Sequence, residues 1–298
     1  MTTLCLGEAL VDLICRRPVD DVADVDAFVP AFGGAVANVA VVAARHGARI
    51  ALAGGAGEDA WGEWLYDRLE DEGVDLRWFS LVPGMPTPIA LVTIDGAGEP
   101  TYGIYGDAIA TVVHALGSRV SEAVEASEAL FFASNTLVGE AEREVTMEAR
   151  KLALALDRPV IFDPNLRLHR WPSQAEAAAS ANACVPGALL VRANLAEAAL
   201  MTGEADPERA ASALLKAGAR LVVLTMGRHG AILRGELDAH VPATDVEVIS
   251  TVGAGDVLTG VLLARLAATG FYPPAVAASL PAAVAEAGEA CERWGALE

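Results

Sequence analysis

The chain has 298 residues, 53% of them apolar, enough to build one large domain with an appendage, or two domains. Its net charge of −19, from 21 basic and 40 acidic residues, argues against nucleic acid or an anionic membrane as partner, because both need clustered Lys and Arg. No basic segment runs into an apolar one at the start, which predicts a cytoplasmic rather than a secreted protein.

From the N-terminus, Leu4-Cys5-Leu6 is a short apolar strand ended by Gly7. Asp12 is expected at a strand's C-terminal end, where open α/β sheets bind ligands; a solvated strand-ending carboxylate is the plainer alternative. From Asp12 to Phe32 no helical pattern emerges. Phe32-Gly33-Gly34-Ala35-Val36-Ala37-Asn38 leads into a small-residue helix ending near Gly47. Ile50 to Ala53 reads as a second strand, followed by a helix with Trp61, Trp64, Leu65 and Leu69 on one face and Gly73 at its end. Between them, Gly55-Ala56-Gly57-Glu58-Asp59-Ala60 matches a dinucleotide fingerprint. Glu58 and Asp59 would set two negative charges beside a pyrophosphate, which disfavours an oxidoreductase.

Thr87 to Tyr105 alternates, with a Gly-Ala-Gly-Glu-Pro turn between two runs, and predicts antiparallel strands separate from the main sheet. Further on, Ala129–Ala133 and Pro159–Phe162 flank a helix from about Glu140 to Leu156; Leu189–Val191 and Leu221–Leu224 are the next strands. Such apolar strands between helices predict a parallel sheet covered on both faces. Leu266 to Ala285 lacks charge, but Pro273, Pro274 and Pro281 interrupt it, which predicts two packed helices rather than a membrane span. Cys5, Cys15, Cys184 and Cys291 show no metal or redox spacing and are expected as buried thiols.

The chemistry concentrates at Thr251-Val252-Gly253-Ala254-Gly255-Asp256, which runs straight into an apolar helix. Bare backbone at a helix start presents N–H groups and partial positive charge to an anion. A carboxylate there suits a base that deprotonates a hydroxyl attacking a terminal phosphate. The alternative is a glycine turn with a dipole-favoured acid.

This segment, the Gly33–Asn38 region, Gly7-Glu8-Ala9-Leu10-Val11-Asp12, Asp163-Pro164-Asn165-Leu166-Arg167, Asn194-Leu195-Ala196-Glu197 and Thr225-Met226-Gly227-Arg228-His229-Gly230 occur in one order. Together they resemble the ribokinase-like (PfkB) carbohydrate kinases over nearly the whole chain, most of all the fructokinase and 2-keto-3-deoxygluconate kinase branch. The resemblance implies a three-layer α/β/α sandwich, with a mostly parallel central sheet and a small β-sheet lid from about residues 12–32 and 87–107, in one kinase domain over 1–298. It implies ATP-dependent phosphorylation of a sugar hydroxyl, fructose first and 2-keto-3-deoxygluconate second. A sugar- or nucleotide-binding regulator without catalysis is the reading from another class. No P-loop pattern is present.

Carried over residue by residue, Asp256 is the base, and Gly253, Ala254 and Gly255 the anion hole. Asp12, Gly33, Gly34 and Asn38 hold the sugar, and Arg167 a phosphate or a sugar-acid carboxylate. Local backbone bonding for Asn38 and a loop salt bridge for Arg167 are the alternatives. Asn194 and Glu197 can face hydrated Mg²⁺ or form a capping box, or both. Thr225, Gly227 and Gly230 let the nucleotide approach, or simply make a turn. The resemblance also implies a homodimer joined through the lids. Ser250 stands where the family often has an Asp that helps hold a monovalent cation, so potassium activation does not carry over. The stretch Ala282–Glu286 lacks the usual Asn near the adenine. Tyr105-Gly106-Asp107-Ala108 lacks the Arg that many relatives place there.

Overall fold

A computed structural model describes residues 1–105 and 115–297. In chain order these form β1 (Thr2–Leu6), β2 (Leu10–Pro18), β3 (Val29–Gly33), α1 (Ala35–Arg45), β4 (Arg49–Gly57), α2 (Ala60–Asp71), β5 (Asp75–Val82), β6 (Ile89–Ile94) and β7 (Pro100–Tyr105). After these come α3 (Val120–Glu125), β8 (Ala129–Ala133), α4 (Glu140–Ala155), β9 (Val160–Asp163), α5 (Gln174–Asn182), β10 (Leu190–Asn194), α6 (Leu195–Thr202) and α7 (Pro207–Lys216). The chain closes with β11 (Leu221–Thr225), β12 (Ala231–Gly235), β13 (Ala239–Val241), α8 (Ala254–Ala268) and α9 (Pro274–Ala290).

Among the described residues, nine strands make one sheet in the order β13-β12-β11-β10-β9-β8-β1-β4-β5. It is parallel except for the β12 and β13 end, where each pairing is antiparallel. Successive side chains enter opposite cores, as a period of two requires. Cys5 packs with α1, α8 and α9 on one face; Leu4 and Leu6 pack with α4, α5 and α7 on the other. The sandwich is therefore three layers, as the family resemblance implies. Helix α8 is buried nearly all round, from Asp256 to Leu266, so its N-terminus opens inside the protein.

Four strands make the second sheet, in the order β3-β2-β6-β7. β2 and β6 run parallel, whereas β2/β3 and β6/β7 are antiparallel. Its inner face, Leu10, Ile14, Ala90, Val92 and Ile94, closes on Val252 just before the glycine segment. The stretch 12–32, where no helical pattern emerges, and the alternating stretch 87–105 thus both contribute strands to it; Gly106 and Asp107 of the expected lid lie outside the described residues.

Two expectations are corrected, and the disfavoured dinucleotide match proves to be a strand. Asp12 does not end a main-sheet strand: Gly7 ends β1, and Asp12 sits within β2 of the small sheet, opposite Ala31 and Ala90. Gly55, Ala56 and Gly57 continue β4 instead of forming a phosphate loop, and Asp59 caps α2 by accepting the N–H groups of Trp61 and Gly62. Pro281 interrupts nothing; it lies inside α9, whose break from α8 comes at Thr269–Pro273. Cys5, Cys15 and Cys184 are buried and Cys291 is half-buried, all as free thiols. No helix among the described residues is long and apolar enough to cross a membrane.

Candidate active site

Two cavities meet where the small sheet faces the C-terminal strand ends. A narrow slot is lined by Glu8, Asp12, Asn38, Asn135 and Tyr102, among others. A wider cleft of about 610 Å³ extends past Asn165, Arg192, Asn194, Glu197 and Gly255. Tyr102, Arg167, Gly253 and Asp256 line both, so they mark the passage between them.

Asp256 lies in the first turn of α8, buried. Asn38 donates to its Oδ2 at 2.8 Å and Asn165 to its Oδ1 at 3.3 Å, so two amides set the carboxylate plane. Burial pushes its pKa up to about 7; the Asn38 bond opposes this, Asp163 adds to it, and Arg167 and Arg192 oppose it. Gly253 precedes the helix at φ 72°, a left-handed turn that a side chain would strain.

Asp12 lies across the slot on β2, buried, and Gly33 of β3 leaves room for it: a Cβ there would sit 2.4 Å from the Asp12 carboxyl carbon. Burial, then the Asp256 charge, raise the Asp12 pKa to about 8 against the pull of Arg167. Gly34 caps α1 with φ 95°, and Asn38 is one turn into that helix. Arg167 follows β9, half-buried, with its guanidinium 5.2 Å from the Tyr102 ring centre. The loop salt bridge considered for it gives way to this stacked position between Asp12 and Asp256, both of which it pulls downward.

Asn194 and Glu197 form the complete capping box. Glu197 N–H donates to Asn194 Oδ1 at 2.9 Å, and Asn194 N–H to Glu197 Oε2 at 2.9 Å. Leu166 N–H donates to the other oxygen of Glu197 at 2.8 Å. Burial, then Asp163, hold this carboxyl's pKa up. Among the described residues, no group of three or more His, Cys, Asp or Glu could hold a metal ion. That donor set still suits Mg²⁺, which keeps most of its water and takes few protein ligands. Thr225 ends β11, and Gly227 and Gly230 bracket the turn that follows, both with positive φ. Ser250 is fully buried, and its Oγ accepts the Val252 N–H at 3.1 Å.

Sequence reasoning missed Arg192, Glu8, Asn135 and Tyr102. Arg192 is buried on β10, donating to Asp163 Oδ2 at 3.1 Å and Thr225 Oγ1 at 3.1 Å. Its guanidinium lies beside Gly255, where a Cβ would come within 2.7 Å of it. A lone Arg in the apolar run Leu189-Leu190-Val191-Arg192-Ala193 was the available signal, since buried charge is retained only with partners. Glu8 and Asn135 each come two residues after a strand end. The passage thus carries the glycine backbone of a helix start and a buried guanidinium on one side, and a hydrogen-bonding slot on the other, with one oriented carboxylate between.

The model of the pfkB family carbohydrate kinases matches residues 2–296. The probable fructokinase-4 of Arabidopsis thaliana is 30% identical over 268 residues, which cover 87% of this chain and 80% of that one. Fructokinase-1 of Oryza sativa subsp. japonica is 30% identical over 262 residues, covering 87% and 81%. Among solved structures, fructokinase from Vibrio cholerae O395, bound to fructose, ADP and calcium ion, superposes with a TM-score of 0.85 at 27% identity, over 99% of this chain and 94% of that one. Fructokinase from Xylella fastidiosa with bound ATP does so with a TM-score of 0.82 at 26% identity, over 99% and 93%.

Proposed function

The chain belongs to the pfkB family of carbohydrate kinases, and within it we propose that it transfers the terminal phosphoryl group of ATP to a hydroxyl of a neutral sugar, fructose first. The observation that carries this reading is the position of Asp256, which lines both the slot and the cleft. In the proposed step, the Asp256 carboxylate takes the proton of the sugar hydroxyl in the slot. The hydroxyl oxygen bonds to the terminal phosphorus, the bond from that phosphorus to the bridging oxygen breaks, and the electron pair leaves on ADP. Asn38 and Asn165 hold the carboxylate in plane, and a pKa of about 7 suits a base at neutral pH. The N–H groups of Gly253, Ala254 and Gly255, with Arg192 behind them, meet the transferring oxygens. Local features of this kind must draw in the nucleotide, because the chain as a whole is strongly acidic.

Asp12, Gly33, Gly34, Asn38 and Arg167 hold the sugar in this reading. Asn194, Thr225, Gly227 and Gly230 border the nucleotide. Glu197 and Asn194 would hold Mg²⁺ through its waters, and the ion when bound neutralises phosphate charge. No potassium ligand is assigned to Ser250. The small sheet serves as the lid, and two copies join through it. A sugar acid such as 2-keto-3-deoxygluconate is the second reading, favoured only by Arg167, which already stacks on Tyr102 and faces two carboxyl groups.

The test is ADP release, measured with a coupled assay, across fructose, ribose, 2-keto-3-deoxygluconate, other hexoses and nucleosides. The expected result is highest kcat/KM with a neutral ketose. Turnover of none of these, with sugar or nucleotide binding intact, would leave a non-catalytic binding protein and end the proposal.

A further inference from the structure

Glu8 lies in the loop between β1 and β2, lines the slot, and is only 2% exposed. Its two oxygens differ. Asn135 donates its amide to Oε1 at 2.8 Å, whereas Oε2 is buried with no hydrogen-bond partner. The amide cannot flip to change this, because Arg170 donates to Asn135 Oδ1 at 3.2 Å and a guanidinium only donates. Arg170, Asn135 and Glu8 therefore form a relay that fixes one carboxylate oxygen and leaves the other without a donor. A buried acceptor without a donor costs free energy, and a protein keeps one where something else supplies the bond.

We propose that Oε2 of Glu8 accepts a hydroxyl of the sugar, and that its carboxylate makes the slot select a neutral polyhydroxyl sugar over a sugar acid. The inference rests on the reading of the slot as the sugar site. With Asp12 protonated below about 8, Glu8 and the Asp256 carboxylate still outnumber Arg167 among the slot's lining. A substrate carboxylate would meet that surplus in a site shielded from water, where like charges are poorly screened. A hydroxyl, by contrast, donates to Oε2 and completes the relay.

Glu8→Gln keeps the bond from Asn135 and exchanges the free acceptor for a donor, so it tests the assignment with little change in shape. The expected result is a fructose KM raised about tenfold or more, the scale of a hydrogen bond to a charged group, with kcat little changed. The ratio of kcat/KM for 2-keto-3-deoxygluconate to that for fructose should rise with it. A second measurement uses wild-type protein and a series of monodeoxy ketohexoses. One position should carry a penalty of the same size, and that penalty should vanish in the variant. Unchanged fructose KM and unchanged acid-to-neutral ratio in a folded variant overturn the role of Glu8 alone, since the wild type would still phosphorylate the neutral sugar. If the variant does not fold, the deoxy series decides: analogues that all match fructose overturn the proposal. Wild-type protein that turns over no neutral sugar overturns the reading of the slot, and this inference falls with it.

Discussion

Each of the two sheets brings the site a buried carboxylate and a glycine that leaves room for a charged side chain, yet the two are supported differently. On the large-sheet side, Asp256 opens a helix buried nearly all round, and Gly255 lies against the guanidinium of Arg192. On the small-sheet side, Asp12 stands in a four-stranded sheet closed on one face by Val252 and its neighbours, and Gly33 gives its carboxyl space. The first carboxylate is set by two amides. The second is governed by burial, then by charge from Asp256 and Arg167. In the proposed function the difference divides labour: chemistry at the start of the buried helix, and sugar recognition on the thinner sheet.

The largest effect should come from the large-sheet carboxylate. Asp256→Asn is expected to lower kcat by roughly 10²–10⁴-fold, the usual contribution of a general base. Sugar and nucleotide binding, followed by calorimetry, should persist. Asp12→Asn should act chiefly through sugar KM. Equal losses of kcat in the two variants would erase the contrast, and near wild-type kcat in Asp256→Asn would remove the base.

The two glycines sharpen the same contrast at smaller scale. Gly255→Ala sets a methyl group 2.7 Å from Arg192, and Gly33→Ala sets one 2.4 Å from the Asp12 carboxyl. Crowding of this kind costs about 1–3 kcal/mol, roughly five- to a hundredfold in KM. The first variant should raise the KM for ATP and the second the KM for sugar. Both variants shifting the same KM would show that the slot and the cleft are not separate binding regions.

Legibility in the sequence follows the same line. The large sheet was readable because strands buried on both faces are continuous apolar runs, and β1, β8, β9 and β11 fall where those runs do. β5 was missed because Asp75 and Arg77 break the run on an edge strand. The small sheet's alternation was readable, but the parallel pairing of β2 with β6 was not, since about seventy residues separate them. That is also why Asp12 was set on the wrong strand. In the site, the backbone elements were legible because glycines at fixed spacing are local. Glu8, Asn135, Tyr102 and Arg192 come from four distant segments, and only their convergence gives them meaning.

The pH dependence separates the two carboxyl groups. Asp256 must be ionised to take a proton, so kcat/KM should rise with pH up to about 7, about tenfold per unit on the acid side. Ionising Asp12, near 8, adds a second charge beside Asp256 and should start a falling limb that Asp12→Asn removes. Stability has the opposite slope. Both pKa values are raised on folding, so their contribution is complete below the ordinary Asp range and is lost as pH climbs through 7 and 8. The melting temperature of Asp12→Asn should therefore fall less between pH 5 and 9 than that of the wild type. Parallel melting curves would show that Asp12 titrates without the burial argued for it.

The smallest effect on turnover should come from the outer face of the small sheet. On β6, Ala90, Val92 and Ile94 point inward and are buried, whereas Ile89, Leu91 and Thr93 point outward and remain half-exposed. Tyr105, on the neighbouring strand, is 62% exposed. Helix α2 packs against β2 and covers the Val11 end, but it leaves an apolar strip around Leu91. A thin sheet with a partly covered apolar face gains stability when a second copy covers the rest. Light scattering at micromolar protein should therefore report twice 30.8 kDa. Leu91→Glu should halve that mass and change kcat little, because the residue faces away from the slot. Val92→Glu buries an unpaired charge against Val252 and should damage sugar binding, or the sheet itself, whatever the assembly. A wild-type protein that scatters as one 30.8 kDa species would remove the dimer and leave the strip around Leu91 without a partner.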